Sequence, residues 1–446
     1  MFEEINAYLG TLVAFLLIFV GGMFFVKLRL FRLIFLRTDT EKKAKNGKIS
    51  PFRAMSVALA GTLGVGNIVG VASAIYLGGF GAIFWMEVSA LFAMALKYAE
   101  TVLAVSHRRS DGKGGFFGGA LYYIKDFFER KGLIRLGKAL CFVFVVFLLV
   151  DSFSTGCIIQ INAASQCARD AFGIPEYVTG AILACLVCAL TLTGFDGLSK
   201  FTEILIPILT VAYVLLSLAV IIIERAALHE ALAKIFADAF DFSSVGGGVF
   251  GFLTSRAMRF GTVRGLISNE AGCGTSPTAH AASGTDSPVR QGLFGIFEVF
   301  IDTTLLCTLT ALVIAVNYSS VSSFGNNGIL MAIGAYEKTL GVFAKDFLSL
   351  SVVFFGFATL LCRAHYGRES MRFLFPKKSS FAEKLYVVIY SSVAFFGASI
   401  TQDSVWNFAD LSISVLTVIN VTILIFMQKE IVLLSRAETK MKKARK

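Results

Sequence analysis

Apolar runs of about 20 residues, the length that crosses a hydrocarbon core, recur between residues 7 and 427, separated by short segments rich in Lys and Arg. Nothing else in the chain constrains its fold as strongly. In lipid every backbone N–H and C=O needs a partner inside the protein, so only helices and closed barrels cross. Barrel strands alternate apolar and polar residues, and these runs do not. An all-α polytopic membrane protein is expected. Composition agrees. The chain is 56% hydrophobic and 16% charged, where a soluble protein carries about 25% charged residues. A net charge of +11 would point to nucleic acid in a soluble protein. Here the basic residues sit in short loops and the tail, where topology and anionic lipid account for them. Membrane lipids are therefore expected partners, and nucleic acid is not. No cleavable leader is read, because the first run follows Glu3 and Glu4 and no small-residue cleavage site follows it. The cysteines lie in or beside apolar runs and read as small apolar fillers. Cys185 and Cys188 form a CxxC with no second pair or histidine cluster to complete a metal site.

The expected spans are 7–26, 55–78, 82–105, 139–168, 176–194, 199–223, 243–284, 291–316, 347–367, 385–400 and 408–427, 11 in all. Surface amphipathic helices are expected from Leu121 to Glu129 and from Ala226 to Phe240. Segment 243–284 is the least apolar and carries Arg256, Arg259 and Arg264. It is either an interfacial helix plus a re-entrant loop or a second broken helix that crosses; read as a crossing, it puts every basic-rich loop on one side, the positive-inside arrangement. The N-terminus is then outside and the C-terminus cytoplasmic, in a bacterial-type inner (plasma) membrane. The plan is an extra N-terminal helix and basic loop (1–54), a five-helix unit (55–225), an outer amphipathic loop (226–242), a second five-helix unit (243–428) and a basic tail (429–446). Five is odd, so the two units have opposite orientation.

Each unit opens on an interrupted helix. Gly61-Thr62-Leu63-Gly64-Val65-Gly66-Asn67 puts three glycines inside an apolar span, each weakening a helix by about 1 kcal/mol relative to alanine. Close helix packing through small residues is the plainer explanation. Asn67, a polar side chain at the weak point, favours a broken helix whose bare peptide groups face a site. Ser268-Asn269-Glu270-Ala271-Gly272-Cys273-Gly274 has the same character in the second unit. Paired interruptions in matching positions of inverted repeats point to a secondary-transporter site near the midplane. Gly64, Gly66 and Asn67, with Asn269, Glu270, Gly272 and Gly274, are the candidate substrate residues. Exposed amides suit a carboxylate, and exposed carbonyls suit Na⁺.

Other polar residues inside spans are functional candidates by default. Gln160 and Asn162 either face the site or bond between helices. Asp151, Glu87, Asp302 and Glu298 are intramembrane carboxylates, several of them near span ends where water is within reach. Glu270 either meets the ligand amine or satisfies one of the nearby arginines; the second is favoured, since an unpaired buried carboxylate is so costly. Thr359 and Arg363 share a helix face at i, i+4. Thr359 offers a hydroxyl oxygen to a cation. Arg363 either snorkels toward the cytoplasmic end of its span or fixes a positive charge in the site. His280 and His365 read as helix-end hydrogen bonders. No GxxxxGK[ST], HExxH or GxSxG is present, so neither an enzyme nor an ATP-driven pump is expected, and no cofactor beyond a coupling ion.

The stretches GTLGVGNIVGVASAIYLGGFGAIFW (61–85), Lys97-Tyr98-Ala99-Glu100, GLISNEAGCGTSPTAHAASGTDSPVRQG (265–292) and FIDTTLLCTLTALVI (300–314) resemble the alanine/glycine:cation symporter family. The resemblance runs from about residue 55 to 430, weaker around Tyr366-Gly367. It implies a LeuT-type 5+5 fold with one extra N-terminal helix, and Na⁺- or H⁺-coupled uptake of alanine, glycine or a related small amino acid by alternating access. It places substrate between the two broken helices, and sodium among carbonyls near Gly61–Gly64 and the Thr359 hydroxyl. No obligate protein partner is implied. Family members usually carry two adjacent hydroxyl residues and then a Trp in span 347–367, where this chain has Ala358, Thr359 and Arg363. Two alternatives follow. Arg363 meets a second carboxylate on an acidic or larger amino acid, or its guanidinium stands in for Na⁺ and transport is H⁺-coupled or an exchange. A channel-like membrane protein with the same broken helices is the alternative from another class.

Overall fold

The computed structural model describes residues 2–34, 49–112, 114–241, 256–325, 327–400 and 403–444. Among these, seven helices are long and apolar enough to cross a membrane, eight when a bent pair is taken as one span. The helices are α1 (Phe2–Leu28), α2 (Leu30–Ile34), α3 (Pro51–Thr62), α4 (Val69–Gly78), α5 (Gly81–Ser106), α6 (Ala120–Arg130), α7 (Ile134–Phe153), α8 (Ile159–Phe172), α9 (Glu176–Leu192), α10 (Phe195–Ile223) and α11 (Arg225–Ala239). The second part of the chain holds α12 (Arg256–Asn269), α13 (Pro277–Ala281), α14 (Pro288–Val299), α15 (Thr308–Val316), α16 (Tyr318–Val321), α17 (Gly328–Leu340), α18 (Val342–Leu374), α19 (Ser379–Gly397) and α20 (Asp403–Ala444). A two-residue ribbon pairs Arg109–Ser110 with Phe116–Phe117.

Helix ends fall where local chemistry puts them. Ser50 accepts the Arg53 amide and Pro51 fills the first turn of α3, the N-cap and N1 preferences. Gly173 closes α8 in the left-handed conformation. Both expected amphipathic helices are present, as α6 and α11. The segment expected as a basic tail is helical over its described residues. α20 continues as helix to Ala444, because Ile431 and Ser435 are still buried, Ser435 against the Tyr98 hydroxyl at 2.8 Å. The expected crossing 243–284 begins outside the described residues; its described part is α12, a turn and α13.

Burial is distributed unevenly, and this locates the site. Residues 54–72 and 261–283 are buried without exception. By contrast, only 22% of the most apolar window of α10 is buried inside the protein, as for a helix facing lipid. The two Gly-rich segments are therefore the innermost parts of the bundle. α5 packs against α12, α14 and α1, and walls them in.

Candidate functional site

Both interruptions are real. α3 and α4 are bent by 61° across residues 63–64. α12 stops at Asn269, and Glu270 takes φ 53°, a left-handed conformation uncommon for a residue with a Cβ. Gly272 and Gly274 follow at φ 87° and 76°, where glycine alone is unstrained. The chain resumes helix at Pro277.

The two breaks touch. A Cβ on Gly66 would lie 3.4 Å from the Ser268 Cα. The Asn67 amide donates to Ser268 Oγ at 2.9 Å and to Asp302 Oδ1 at 2.8 Å. Ser268 Oγ donates in turn to Asp302 Oδ2 at 2.7 Å. Asn269 donates to Thr303 Oγ1 at 3.0 Å, and its side-chain oxygen accepts the Ala271 amide at 2.9 Å. Asp302, buried completely, thus ties the breaks together and does not reach water.

At the first break, polar side chains take over the freed backbone groups. The Gly64 amide donates to Asn67 Oδ1 and the Val65 amide to Gln160 Oε1, both at 3.0 Å. A Cβ on Gly64 would lie 2.6 Å from Thr359 Oγ1 and 2.7 Å from Gln160 Oε1. Only glycine leaves room for that convergence. Thr359 Oγ1 lies 3.0 Å from the carbonyls of Ala60 and Phe355 and 3.4 Å from that of Leu63. A hydroxyl has one hydrogen and satisfies one of them. The remaining carbonyl oxygens face its lone pairs, a donor set that suits a hard cation. These carbonyls belong to Ala60 and Leu63, each one residue before the expected Gly61 and Gly64. Gly61 instead packs against Cys362, whose Sγ would lie 2.7 Å from a Cβ there.

Arg363 does not snorkel. It is 2% exposed and forms ion pairs with both Asp151 and Glu270. Glu270 also accepts the Thr275 hydroxyl. Its arginine is therefore not one of the three nearby in sequence. Arg264 pairs with Asp410 at 2.8 Å and lies over the Trp406 ring. Around Arg363, the buried atoms Asp151 Oδ1, Thr155 Oγ1 and Arg363 Nε have no hydrogen-bond partner. Buried polar atoms are seldom left so.

Sequence reasoning named Asp302 but missed the backbone geometry that makes these contacts possible. Residues 154–158 and 300–307 are π-helical, a geometry that recurs at functional sites. In the first, Gly156 admits the Arg363 stem, whose Cγ would lie 2.4 Å from a Cβ at 156. The second carries Asp302 and Thr303. Asn162 bonds the Ile400 carbonyl at 2.7 Å, and so works between helices. His280 accepts from Gln291 and contacts Glu298; His365 lies against Phe195. A cavity of about 960 Å³ opens at the end of the bundle where α1 begins, lined by Asn6, Ser73, Arg259, Arg264, Trp406 and Asp410 among others. Arg264 is one helical turn before Ser268, so this cavity ends close to the breaks. Among the described residues no cluster of His, Cys, Asp and Glu is arranged to hold a metal ion.

The family model described as Sodium:alanine symporter family matches residues 1–446. Sodium/alanine symporter AgcS of Methanococcus maripaludis is 36% identical over 374 residues, covering 83% of this chain and 80% of that protein. A Bacillus subtilis protein named "Probable sodium/glutamine symporter GlnT" is 32% identical over 411 residues, 92% of this chain and 83% of that one. The solved structure of MhsT in complex with L-phenylalanine superposes with a TM-score of 0.61 at 13% identity, covering 85% of this chain and 89% of that chain, a likeness of fold alone. The chain is a multi-pass helical membrane protein and belongs to the sodium:alanine symporter family, a family of transporters.

Proposed function

We propose that this protein is a secondary active transporter that carries a small amino acid such as alanine or glycine into the cell together with Na⁺ or H⁺, by alternating access. The observation that carries this reading is the meeting of two interrupted helices in the interior, joined through Asn67, Ser268 and Asp302. Gly64, Gly66 and Asn67, with Asn269, Glu270, Gly272 and Gly274, form the cradle. Peptide groups at the start of α4 meet the substrate carboxylate, where the helix dipole favours negative charge. Carbonyls at the end of α12 meet the amine. Gln160 holds the first break in shape. The cation lies at the C-terminal end of α3, between the carbonyls of Ala60 and Leu63 and the Thr359 hydroxyl, with Gly61 and Gly64 beside it.

Arg363, paired on both sides, has no free charge to offer a second substrate carboxylate. This supports a small zwitterion over an acidic amino acid. Its closeness to Thr359, one turn away, keeps the other reading in play, in which its guanidinium replaces bound Na⁺. The division into inverted units 55–225 and 243–428, the full set of 11 spans and a cytoplasmic C-terminus belong to this same proposal. The cavity at the start of α1 is then the outer entrance, and coupling is a difference in affinity between two conformations.

The test is a thermal-shift panel of amino acids with and without Na⁺, on the wild type and on Arg363→Trp, followed by uptake into liposomes with Na⁺ replaced by K⁺ or choline. Stabilisation by alanine or glycine, with saturable uptake and counterflow, is expected. Conductance that does not saturate would replace the carrier by a channel. Uptake indifferent to Na⁺ would assign the cation's place to Arg363.

A further inference from the structure

A second group of buried charges lies behind the second break, where it holds the Gly274 amide without belonging to the cradle or to the cation position. Lys97 and Glu100 on α5 and Glu298 on α14 are all 0% exposed. The Lys97 ammonium donates to Glu298 Oε1 at 3.1 Å and to Ser276 Oγ at 2.6 Å, and stands 4.0 Å from Glu100 Oε1. His280 belongs to the group too, and its tautomer is fixed. The Gln291 Nε2 amide, which also bonds the Pro51 carbonyl at 3.3 Å, points its hydrogen at His280 Nδ1 at 2.8 Å. Nδ1 therefore accepts, and Nε2–H donates to Glu298 Oε2 at 2.7 Å. Lys97 is balanced by Glu298, and Glu100 is one carboxylate in excess.

Glu100 itself is divided. Its Oε2 accepts the Gly274 amide at 3.0 Å and the Asn420 amide at 2.8 Å. Asn420 also donates to the Gly272 carbonyl at 2.9 Å and accepts the Tyr123 hydroxyl. Its Oε1 is buried with no hydrogen-bond partner. A second carboxylate on one ammonium, with an oxygen that accepts no hydrogen bond and is sealed from water, is a costly arrangement unless that oxygen binds something. The ammonium 4.0 Å away repels Na⁺ from that oxygen, which leaves a proton. The other titratable groups around it are Glu298 on α14, His280 on α13, Tyr123 on α6, and Glu270 and Cys273 on the unwound segment. α20 presents Asn420.

We propose that Glu100 is a proton-binding site whose ionisation holds, and whose protonation releases, the unwound segment Gly272–Gly274. Hydrogen bonds to a carboxylate are about twice as strong as those to a neutral acid. Proton binding at Oε1 converts the carboxylate to the acid, slackens the bonds at Oε2 to Gly274 and Asn420, and frees the break to rearrange around substrate. Release of the proton restores the clamp. Because coupling is reciprocal, substrate binding draws the proton in. This inference rests on the carrier reading above and adds to it the residue through which H⁺ acts.

The test uses the purified full chain in weakly buffered detergent solution with a pH-sensitive dye. Amino acids that shift the melting temperature are added one at a time. Uptake of about one proton per amino acid bound is expected, with affinity rising toward about tenfold per unit fall in pH. Glu100→Gln is expected to bind the same amino acid with no proton uptake and a flat pH profile. Should that variant fail to fold, Glu298→Gln serves, because it leaves Glu100 balanced by Lys97 and ionised; proton uptake should vanish there too. Binding without proton exchange in the wild type, or exchange that persists in either variant, overturns the proposal and leaves the carrier reading standing. An absence of binding by every amino acid overturns both.

Discussion

The two breaks do the same job with different chemistry. The first is held by neutral groups: Asn67 and Gln160 take the amides of Gly64 and Val65, and Thr359 stands against the carbonyls. The second is held by titratable ones: Glu270 pairs with Arg363, and Glu100 takes the Gly274 amide with Lys97 close by. Neutral amides keep their bonds at any ordinary pH. Buried carboxylates lose half their hydrogen-bonding strength when a proton or a partner changes. The difference implies a division of labour, in which the first break is a fixed seat and the second a movable one. Glycine content fits. Gly272 and Gly274 both need positive φ, so the second break has conformations open to it that other residues reach only with strain.

The largest effect should come from removing the charge that holds the second break. Arg363→Met leaves Asp151 and Glu270 buried and unpaired, a loss of about 3–5 kcal/mol. It should show as a lower melting temperature in detergent and as lost uptake. Asp151→Asn together with Glu270→Gln in the same background should recover much of the stability, because no uncompensated charge remains. Failure to recover would mean that Arg363 acts by packing against Gly156.

At the first break, steric change should matter more than charge. Gly64→Ala puts a methyl where Thr359 and Gln160 converge, an overpacking cost of about 1–3 kcal/mol. Gly66→Ala meets only ordinary contact at 3.4 Å from Ser268, and uptake should stay within about threefold of wild type on that ground. Equal damage from both would remove the distinction between a seat shaped by side chains and one shaped by backbone. Gln160→Ala, which strips the Val65 amide of its acceptor, should cost about 1–3 kcal/mol, and Gln160→Glu should cost more, because it keeps that acceptor but removes the donor to the Thr155 carbonyl and buries a carboxylate with no cation beside it.

The breaks were legible in the sequence because glycine and asparagine inside an apolar run contradict everything else a span requires. Glu270 was legible as a residue in need of an arginine, but its partner was not. Nearby arginines are visible to spacing rules, while Asp151 lies 212 residues before Arg363. Only the packing of α7 against α18 brings them together. The π-helical turns left no sequence mark either, since an i→i+5 bond follows from neighbouring helices and not from a residue pattern. Lys97 and Glu100 stood out only as part of a family resemblance. Their i, i+3 spacing reads as an ordinary helix pair, and it takes Ser276, Asn420 and the unwound backbone to show that the pair is buried and unbalanced.

The smallest effect, and the sharpest at the cavity end of the comparison, concerns Arg264 and Asp410. The pair lines the cavity one turn from Ser268 and is 6% and 20% exposed at its two side chains. It sits between the regimes of a buried pair and a surface pair. Asp410→Asn should therefore cost little stability, of the order of 1 kcal/mol. Arg264 keeps its contact with Trp406 in that variant, so its desolvation is still partly compensated. What should change is access. If the cavity is the route to the cradle, a cysteine placed at Ser73 should react faster with a charged thiol reagent in Asp410→Asn than in the parent, and one placed at Ser268 should gain most, since the pair lies between it and water. Unchanged labelling at Ser268 would mean that the seal is made by the Asn67–Ser268–Asp302 contacts themselves. The neutral first break would then be a gate as well as a seat, and the division of labour drawn above would fail.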